Sequence, residues 1–305
     1  MLEIIVTIFT FGTIGFLVWK VFRFIKGSDI TFGNKAIASI INYLNTKNYT
    51  KAENAIQQLN PDDFTATLDA IGLKVATDSL KKWEENTTNP ELVQLGLGVH
   101  YLHKAWIART HEYASNVSQK KAESFYDLLA IAEDYFSLIS KESPYAMEKY
   151  SRMIRLTMSQ DGYTSEATTY FDLATENNKD FFYPYIHLAE VLQPKWGGNQ
   201  QLITDFINTL PDHFLIKNTV KLKLLLDSYI CSENYFEGDL EYTTHKILYE
   251  IDSKIGNEPI NSIHKYMLYN YMKELASMLN KKKLVNKYKK ASKNYPTLYP
   301  YGVIL

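Results

Sequence analysis

Apolar residues recur at steps of three and four along most of this chain, which is the spacing of one face of an α-helix. Clear stripes of this kind run from Ile37 to Leu44 and from Phe125 to Phe136. The chain lacks alternating stretches joined by Asn-Gly or Asp-Gly turns, and its single Asp161-Gly162 pair joins two helical patterns. The pattern predicts an all-α protein. The expected helices are residues 35–46, 50–59, 62–85 (with Gly72 as the candidate break), 90–115, 118–141, 145–160, 163–177, 182–193, 200–209, 214–231, 239–254, 260–279 and 281–293.

The first 26 residues have a different pattern, because residues 4–19 carry no charged side chain. A helix of this length covers about 24 Å, and the flanking Lys20 and Arg23 can extend to the headgroups of a bilayer whose apolar core is about 30 Å thick. A cleaved signal peptide needs positive charge before its apolar segment, whereas here the positive charge follows it. Residues 1–26 are therefore predicted to be a transmembrane anchor that contacts the membrane through residues 2–25.

Positive charge keeps its end of a membrane helix in the cytoplasm. The sequence therefore predicts a single-pass protein of a bacterial inner membrane, with the rest of the chain on the cytoplasmic side. Residues 27–34 contain two glycines and end at Asn34, a residue type that caps helices, so we expect a hinge there. Residues 35–305 are predicted to form a helical-repeat domain, with basic helices in residues 260–305.

A short segment recurs within this domain. AEDYFSL at residues 132–138 and ATTYFDL at residues 167–173 share Ala, Tyr, Phe and Leu at the same offsets, 35 residues apart. This separation is close to the ~34-residue period of tetratricopeptide repeats. After the N-terminal anchor, the sequence therefore predicts an α-solenoid of tetratricopeptide-like helix pairs, a fold that presents a long concave surface for partners.

The stretch from about residue 95 to 215 resembles a group of bacterial tetratricopeptide-like proteins described as a domain of unknown function. The resemblance depends on a tryptophan-to-arginine helix, Trp106 to Arg109, and on a proline-basic-Trp-Gly-Gly corner, Pro194 to Gly198. It implies a helical-repeat fold and no established chemistry.

The PKWGGN corner has two interpretations. A phosphate-binding loop needs spaced glycines followed by Lys-Ser or Lys-Thr, whereas the lysine here precedes the glycines. As a structural corner, Pro194 ends one helix, Gly197 and Gly198 allow positive φ or close approach, and Asn199 caps the next helix. Trp196 would pack between the two helices and donate its N–H to a carbonyl oxygen. The structural interpretation is favoured.

Two candidate sites lie on the helix predicted over residues 90–115. His100 and His103 are one turn apart and can grip one metal ion, although no His-Glu-x-x-His motif is present. Core or groove-lining histidines are the favoured interpretation, and we expect no cofactor. Trp106 and Arg109 are spaced so that the guanidinium can lie against the indole, with Glu112 nearly one turn further on. These three residues either brace the helix or form a groove for a partner's carboxylate.

The net charge of −1 hides an asymmetry, because residues 265–305 contain nine lysines and one glutamate, or +8, and the preceding residues therefore carry −9. The acidic part would oppose nucleic-acid binding, which is not expected. Near an anchored N-terminus, the basic residues are candidates for contact with anionic lipid, the alternative being a solvated helix face. The candidate lysines are Lys281, Lys282, Lys283, Lys287, Lys289 and Lys290.

No Gly-x-Ser-x-Gly nucleophile motif occurs, and the lone Cys231 has no motif around it. The sequence therefore favours a non-catalytic protein that binds another protein at the cytoplasmic face of the inner membrane. Such a protein would neutralise a toxin or effector, or act as a scaffold for an envelope complex. The alternative is a metal-dependent enzyme that acts on lipid or cell-wall material through the histidine helix.

Overall fold

The computed structural model of the chain describes residues 29–109, 116–158, 164–293 and 295. Within these ranges the protein forms fourteen α-helices, and no β-strand occurs there. The α-helices are α1 (Lys35–Asn45), α2 (Tyr49–Gln57), α3 (Pro61–Lys74), α4 (Thr77–Asn86), α5 (Pro90–Arg109), α6 (Gln119–Ser137), α7 (Ala146–Thr157), α8 (Thr164–Thr175), α9 (Phe182–Val191), α10 (Gln200–Thr209), α11 (Phe214–Cys231), α12 (Leu240–Lys254), α13 (Ser262–Met278) and α14 (Lys282–Ser292). A 3-10 helix, Pro194–Trp196, lies between α9 and α10. The prediction of an all-α domain is confirmed.

The predicted anchor, residues 1–26, and Gly27 and Ser28 of the hinge lie outside the described ranges. Of the helices inside those ranges, none combines the length and the apolar character needed to cross a bilayer. The predicted hinge ends at Asn34, whose side-chain oxygen accepts hydrogen bonds from the backbone amides of Ala36 and Ile37. Asn34 therefore caps α1, as its residue type predicts.

The helices follow one another in seven successive pairs. The first helices of these pairs, the odd-numbered ones from α1 to α13, pack side by side in chain order. Most second helices pack on the first helix of their own pair. The exceptions are α4, which packs mainly on α5, and α10, which packs mainly on α11, so each contacts the first helix of the following pair. This arrangement is consistent with an α-solenoid, in which each repeat buries its apolar face against its neighbours.

The stack curves back until its first and last elements touch. The rings of Phe32 and Tyr295 meet edge to face with centroids 6.0 Å apart. Asn261 at the start of α13 donates a hydrogen bond of 3.2 Å to Asp63 in α3. Every residue of α9 is buried, because α9 packs on α7, α8 and α11, and the ring of His264 from α13 lies 4.6 Å from that of Phe182. The open concave surface expected of a repeat stack is therefore absent along α9.

The predicted helix over residues 62–85 is two helices, and the prediction of a break at Gly72 is wrong. The chain becomes extended at Val75 and Ala76 instead. Gly72 lies inside α3, where an added Cβ would stand 2.6 Å from Cδ2 of His103. The missing side chain thus allows α5 to approach α3 closely, and this is a packing role rather than a turn.

Candidate functional site

The PKWGGN corner is a tight turn between α9 and α10. Pro194 begins the 3-10 helix, and Gly197 follows it in the left-handed region with φ of 86°. Gly198 has an ordinary φ, but a Cβ there would collide with the carbonyl oxygen of Leu192. Asn199 caps α10 by accepting a hydrogen bond of 2.9 Å from the amide of Leu202. The two glycines are thus needed for different reasons, one for conformation and one for space.

Ion pairs connect the corner to the side chains of α9 and α11. Lys195 Nζ lies 3.0 Å from Glu190 Oε1 and 3.6 Å from Asp227 Oδ1. Trp196 Nε1 donates to the same Glu190 oxygen at 3.0 Å. The predicted acceptor for this indole, a backbone carbonyl, is therefore wrong, because the buried carboxylate of Glu190 lies within reach and is the stronger acceptor.

A second lysine completes this ion network, which joins α9 to α11. Lys223 is fully buried, forms an ion pair with Glu190, and donates to Asp227 Oδ2 at 2.6 Å. Gln193 Nε2 donates to the same Asp227 oxygen at 2.6 Å. Burial would raise the pKa of Glu190, but the ammonium groups of Lys195 and Lys223 outweigh burial and hold this pKa well below its usual range.

Two tryptophans that are distant in sequence pack against each other next to this network, to which Trp196 is hydrogen-bonded through Glu190. The ring of Trp106 on α5 and the ring of Trp196 at the corner are edge to face, with centroids 5.5 Å apart. The Arg109 guanidinium lies over both rings, 5.2 Å from the centroid of Trp196 and 5.8 Å from that of Trp106. We call Trp106, Arg109 and Trp196 the tryptophan–arginine patch. Glu112, predicted to join it, lies outside the described residues.

The patch is partly accessible. Trp106 is buried, whereas Arg109 and Trp196 are half-buried. Tyr126 on α6, whose phenol interacts electrostatically with Arg109, is 55% exposed. Burial lowers the pKa of Arg109 while Tyr126 opposes this effect, yet a guanidinium keeps its charge at neutral pH. The patch therefore combines a permanent cation with aromatic surface, a combination suited to a carboxylate-bearing ligand.

The two candidate metal ligands, His100 and His103, form hydrogen bonds with other protein groups. His100 Nδ1 donates to the Gly72 carbonyl at 2.8 Å, and Nε2 accepts from the Thr77 hydroxyl at 2.9 Å. His103 is buried with Nε2 2.9 Å from Asp69 Oδ1. In the described part of the chain, no group of three His, Cys, Asp or Glu side chains is placed to hold a metal ion. Both imidazoles therefore serve to join α5 to α3 and α4.

Sequence reasoning missed a buried network around Arg152 on α7. Its Nη1 lies 2.6 Å from Asp69 Oδ1, and its Nε lies 2.7 Å from Glu148 Oε1. Thr65 donates to the other Glu148 oxygen at 2.6 Å. Burial would raise the pKa of Asp69, but Arg152 and His103 outweigh burial and hold it well below its usual range. The only sequence signal was the i, i+4 spacing of Glu148 and Arg152, which exposed helix faces also show.

The six candidate lipid-contact lysines on and beside α14 are all exposed. Lys287 differs from the others because its Nζ is 2.5 Å from Asp252 Oδ2 on α12. The rest form no ion pair with a carboxylate of the described residues.

Neither a family model, nor a curated protein, nor a solved structure matches the chain. The resemblance of residues 95–215 to the bacterial tetratricopeptide-like group therefore stays a prediction. The two motifs that carry this resemblance, Trp106–Arg109 and Pro194–Gly198, are the segments that form the tryptophan–arginine patch.

Proposed function

We propose that this is a membrane-anchored, non-catalytic protein of tetratricopeptide-like helix pairs that binds a partner protein at the cytoplasmic face of a bacterial inner membrane. The uncharged run of residues 4–19, followed by positive charge, supports the anchor and its orientation. The observation that carries the binding role is the tryptophan–arginine patch, where Arg109 lies over the half-buried ring of Trp196.

The composition of the patch supports protein binding. Trp, Tyr and Arg are the residues that most often dominate the energy of protein interfaces, particularly when they are held rigidly. Trp196 is held by its hydrogen bond to Glu190 and by the ring of Trp106. Tyr126 adds an exposed ring beside Arg109. We therefore propose that the patch binds a partner segment that presents a carboxylate to Arg109 and apolar side chains to the rings.

The positions of the carboxylates whose pKa values are strongly lowered support a binding protein rather than an enzyme. Among the described residues, the carboxylates with the lowest pKa values, Asp69 and Glu190, are committed to ion pairs with Arg152 and Lys223. Arg152 and Lys223 are both fully buried. A substrate would not reach these groups without opening the helix stack. Their arrangement is that of structural cross-links between helices.

Two kinds of partner fit an anchored binding protein. One is a toxin or effector that acts on the envelope and is neutralised at the membrane. The other is a component of an envelope complex that the repeat domain holds in place. In either case anchoring confines both proteins to one surface, which raises their effective concentration.

The test is affinity capture from detergent-solubilised membranes with the full-length protein and surface variants. We expect the wild type to recover one reproducible protein, and Arg109→Gln and Tyr126→Ala to recover at least about fivefold less, the loss expected for hot-spot truncation. Tyr242→Ala is the matched control, because Tyr242 is a 70% exposed tyrosine on α12, which contributes no residue to the patch. Equal recovery by all variants, or recovery of nothing reproducible, would refute the proposed function.

A further inference from the structure

The two ends of the described chain lie side by side. Besides the contact between the rings of Phe32 and Tyr295, the backbone of Gly33 lies against the Tyr295 hydroxyl so closely that a Cβ would collide with it. Asn270 on α13 donates a hydrogen bond of 2.8 Å to the Tyr295 carbonyl. The N-terminal end of the described chain, at Phe32 and Gly33, therefore lies beside the C-terminal end of α14.

Helix α14 presents its lysines to solvent, because its apolar face is packed against α13 and the core. Tyr288 is buried, and its ring is stacked on that of Tyr269 in α13 at 6.2 Å. Leu284 and Val285 pack into the same core. The helix cannot rotate its lysines inward without exposing these apolar side chains. The outward lysines of this segment that form no ion pair in the described structure are Lys281, Lys282, Lys283, Lys289, Lys290 and Lys293.

Covalent geometry limits the distance between these lysines and the proposed anchor. Six peptide units separate Lys26, where the anchor ends, from Phe32, and a fully extended chain of that length spans about 21 Å at most. Phe32 contacts Tyr295, so the C-terminal end of α14 lies close to the residue that this tether connects to the anchor. The domain can therefore bring Lys289, Lys290 and Lys293 onto the membrane without unfolding.

We infer that the lysine face of α14 lies on the anionic cytoplasmic leaflet and orients the helix stack relative to the membrane. This inference rests on the anchor in the proposed function. Charge complementarity favours anionic phospholipid as the occupant, because the leaflet is negative and attracts juxtamembrane lysines within a Debye length of about 8 Å. Nucleic acid is disfavoured as the occupant, because residues 1–264 carry a charge of −9.

The test uses full-length protein reconstituted in vesicles of phosphatidylcholine alone or of roughly three parts phosphatidylcholine to one part phosphatidylglycerol, the anionic component. A water-soluble amine-reactive label and mass spectrometry report the reactivity of each lysine. We expect all six lysines of this face to react at least about threefold more slowly on anionic vesicles, and about 1 M salt to restore their reactivity by screening. They are Lys281, Lys282, Lys283, Lys289, Lys290 and Lys293. Lys82 on α4 and Lys120 on α6, both exposed, are internal controls that should not change.

Charge variants sharpen the test. On anionic vesicles, the variant with Lys289→Gln, Lys290→Gln and Lys293→Gln should lose the protection of Lys281, Lys282 and Lys283. A matched variant with Lys82→Gln and Lys120→Gln should keep that protection. Unchanged lysine reactivity in protein that floats with the vesicles would overturn this inference alone. Failure to float with either kind of vesicle would overturn the anchor and this inference together. Protection by duplex DNA but not by anionic vesicles would assign the face to nucleic acid instead.

Discussion

Trp106 and Trp196 pack edge to face across the junction of α5 and the α9–α10 corner, with ring centroids 5.5 Å apart. Each belongs to a different recognisable motif of the sequence, and the contact unites these motifs in one patch. Arg109 lies over both rings and Phe125 packs on Trp106 from α6. The corner is therefore both a turn that ends α9 and one wall of a partly open aromatic surface.

The indole hydrogen bond of Trp196 should contribute measurably to stability. Trp196→Phe keeps the ring contact but removes the donor to Glu190, and a hydrogen bond to a charged group is worth about 1.5–3 kcal/mol. We expect the free energy of unfolding in urea to fall by about 2 kcal/mol. A double-mutant cycle with Glu190→Gln isolates the bond. A coupling energy near zero would contradict the assigned hydrogen bond.

Two lysines of α11 should differ strongly in their contribution to the free energy of unfolding. Lys223→Met removes the buried ammonium group that pairs with Glu190 and Asp227 and leaves only the partly exposed Lys195 beside them, so we expect a loss of about 3 kcal/mol in unfolding free energy. Lys217→Met is the control, since Lys217 pairs at 3.1 Å with Asp212, whose side chain is 98% exposed. The control should cost under about 1 kcal/mol. Comparable losses for the two variants would show that the buried network does not hold α9 to α11.

Gly72 should resist substitution although it lies inside a helix. Alanine favours helices by about 1 kcal/mol over glycine, but the new methyl group would press on His103, which is fixed by Asp69. We expect a net destabilisation of about 1–2 kcal/mol from overpacking, measured by thermal or urea unfolding. Gly256→Ala is the control because nothing lies within 4 Å of its Cβ position. A stabilised Gly72→Ala would contradict the close approach of α5 to α3.

His264 should make stability depend on pH between 7 and 5. Burial, which outweighs the opposing effect of Asp63, lowers its pKa to about 3, whereas the unfolded chain has a value near 6.5. Below pH 6.5 the unfolded state therefore binds a proton that the folded state does not, and stability falls as the pH falls. Linkage gives a loss of about 2 kcal/mol from this group between pH 7 and pH 5.

Urea unfolding at pH 7, 6 and 5 measures this effect of His264. The variant His264→Gln should lose about 2 kcal/mol less stability than the wild type over the same interval. An unchanged slope in His264→Gln would show that folding does not lower the pKa of this imidazole.

Local patterns predicted the secondary structure and the caps well. The three-and-four spacing indicates helices because it places apolar residues on one face, whatever that face later contacts. Asn34 and Asn199 cap helices because a short side-chain oxygen satisfies free amides of the first turn within a few residues. Such features depend on neighbours in sequence, so the sequence shows them directly.

What the sequence by itself determined is the all-α fold of the described residues, the positions of most helices and the turn at Pro194–Asn199. Only the tertiary structure decided that Trp106 meets Trp196, that Phe32 meets Tyr295, and that α3 continues past Gly72. It also decided which charges are buried. The physical reason is that helical periodicity defines which face of a helix is apolar but not which distant helix will cover it. Contacts between residues far apart in sequence depend on the packing of the whole stack, as does the burial of charged side chains.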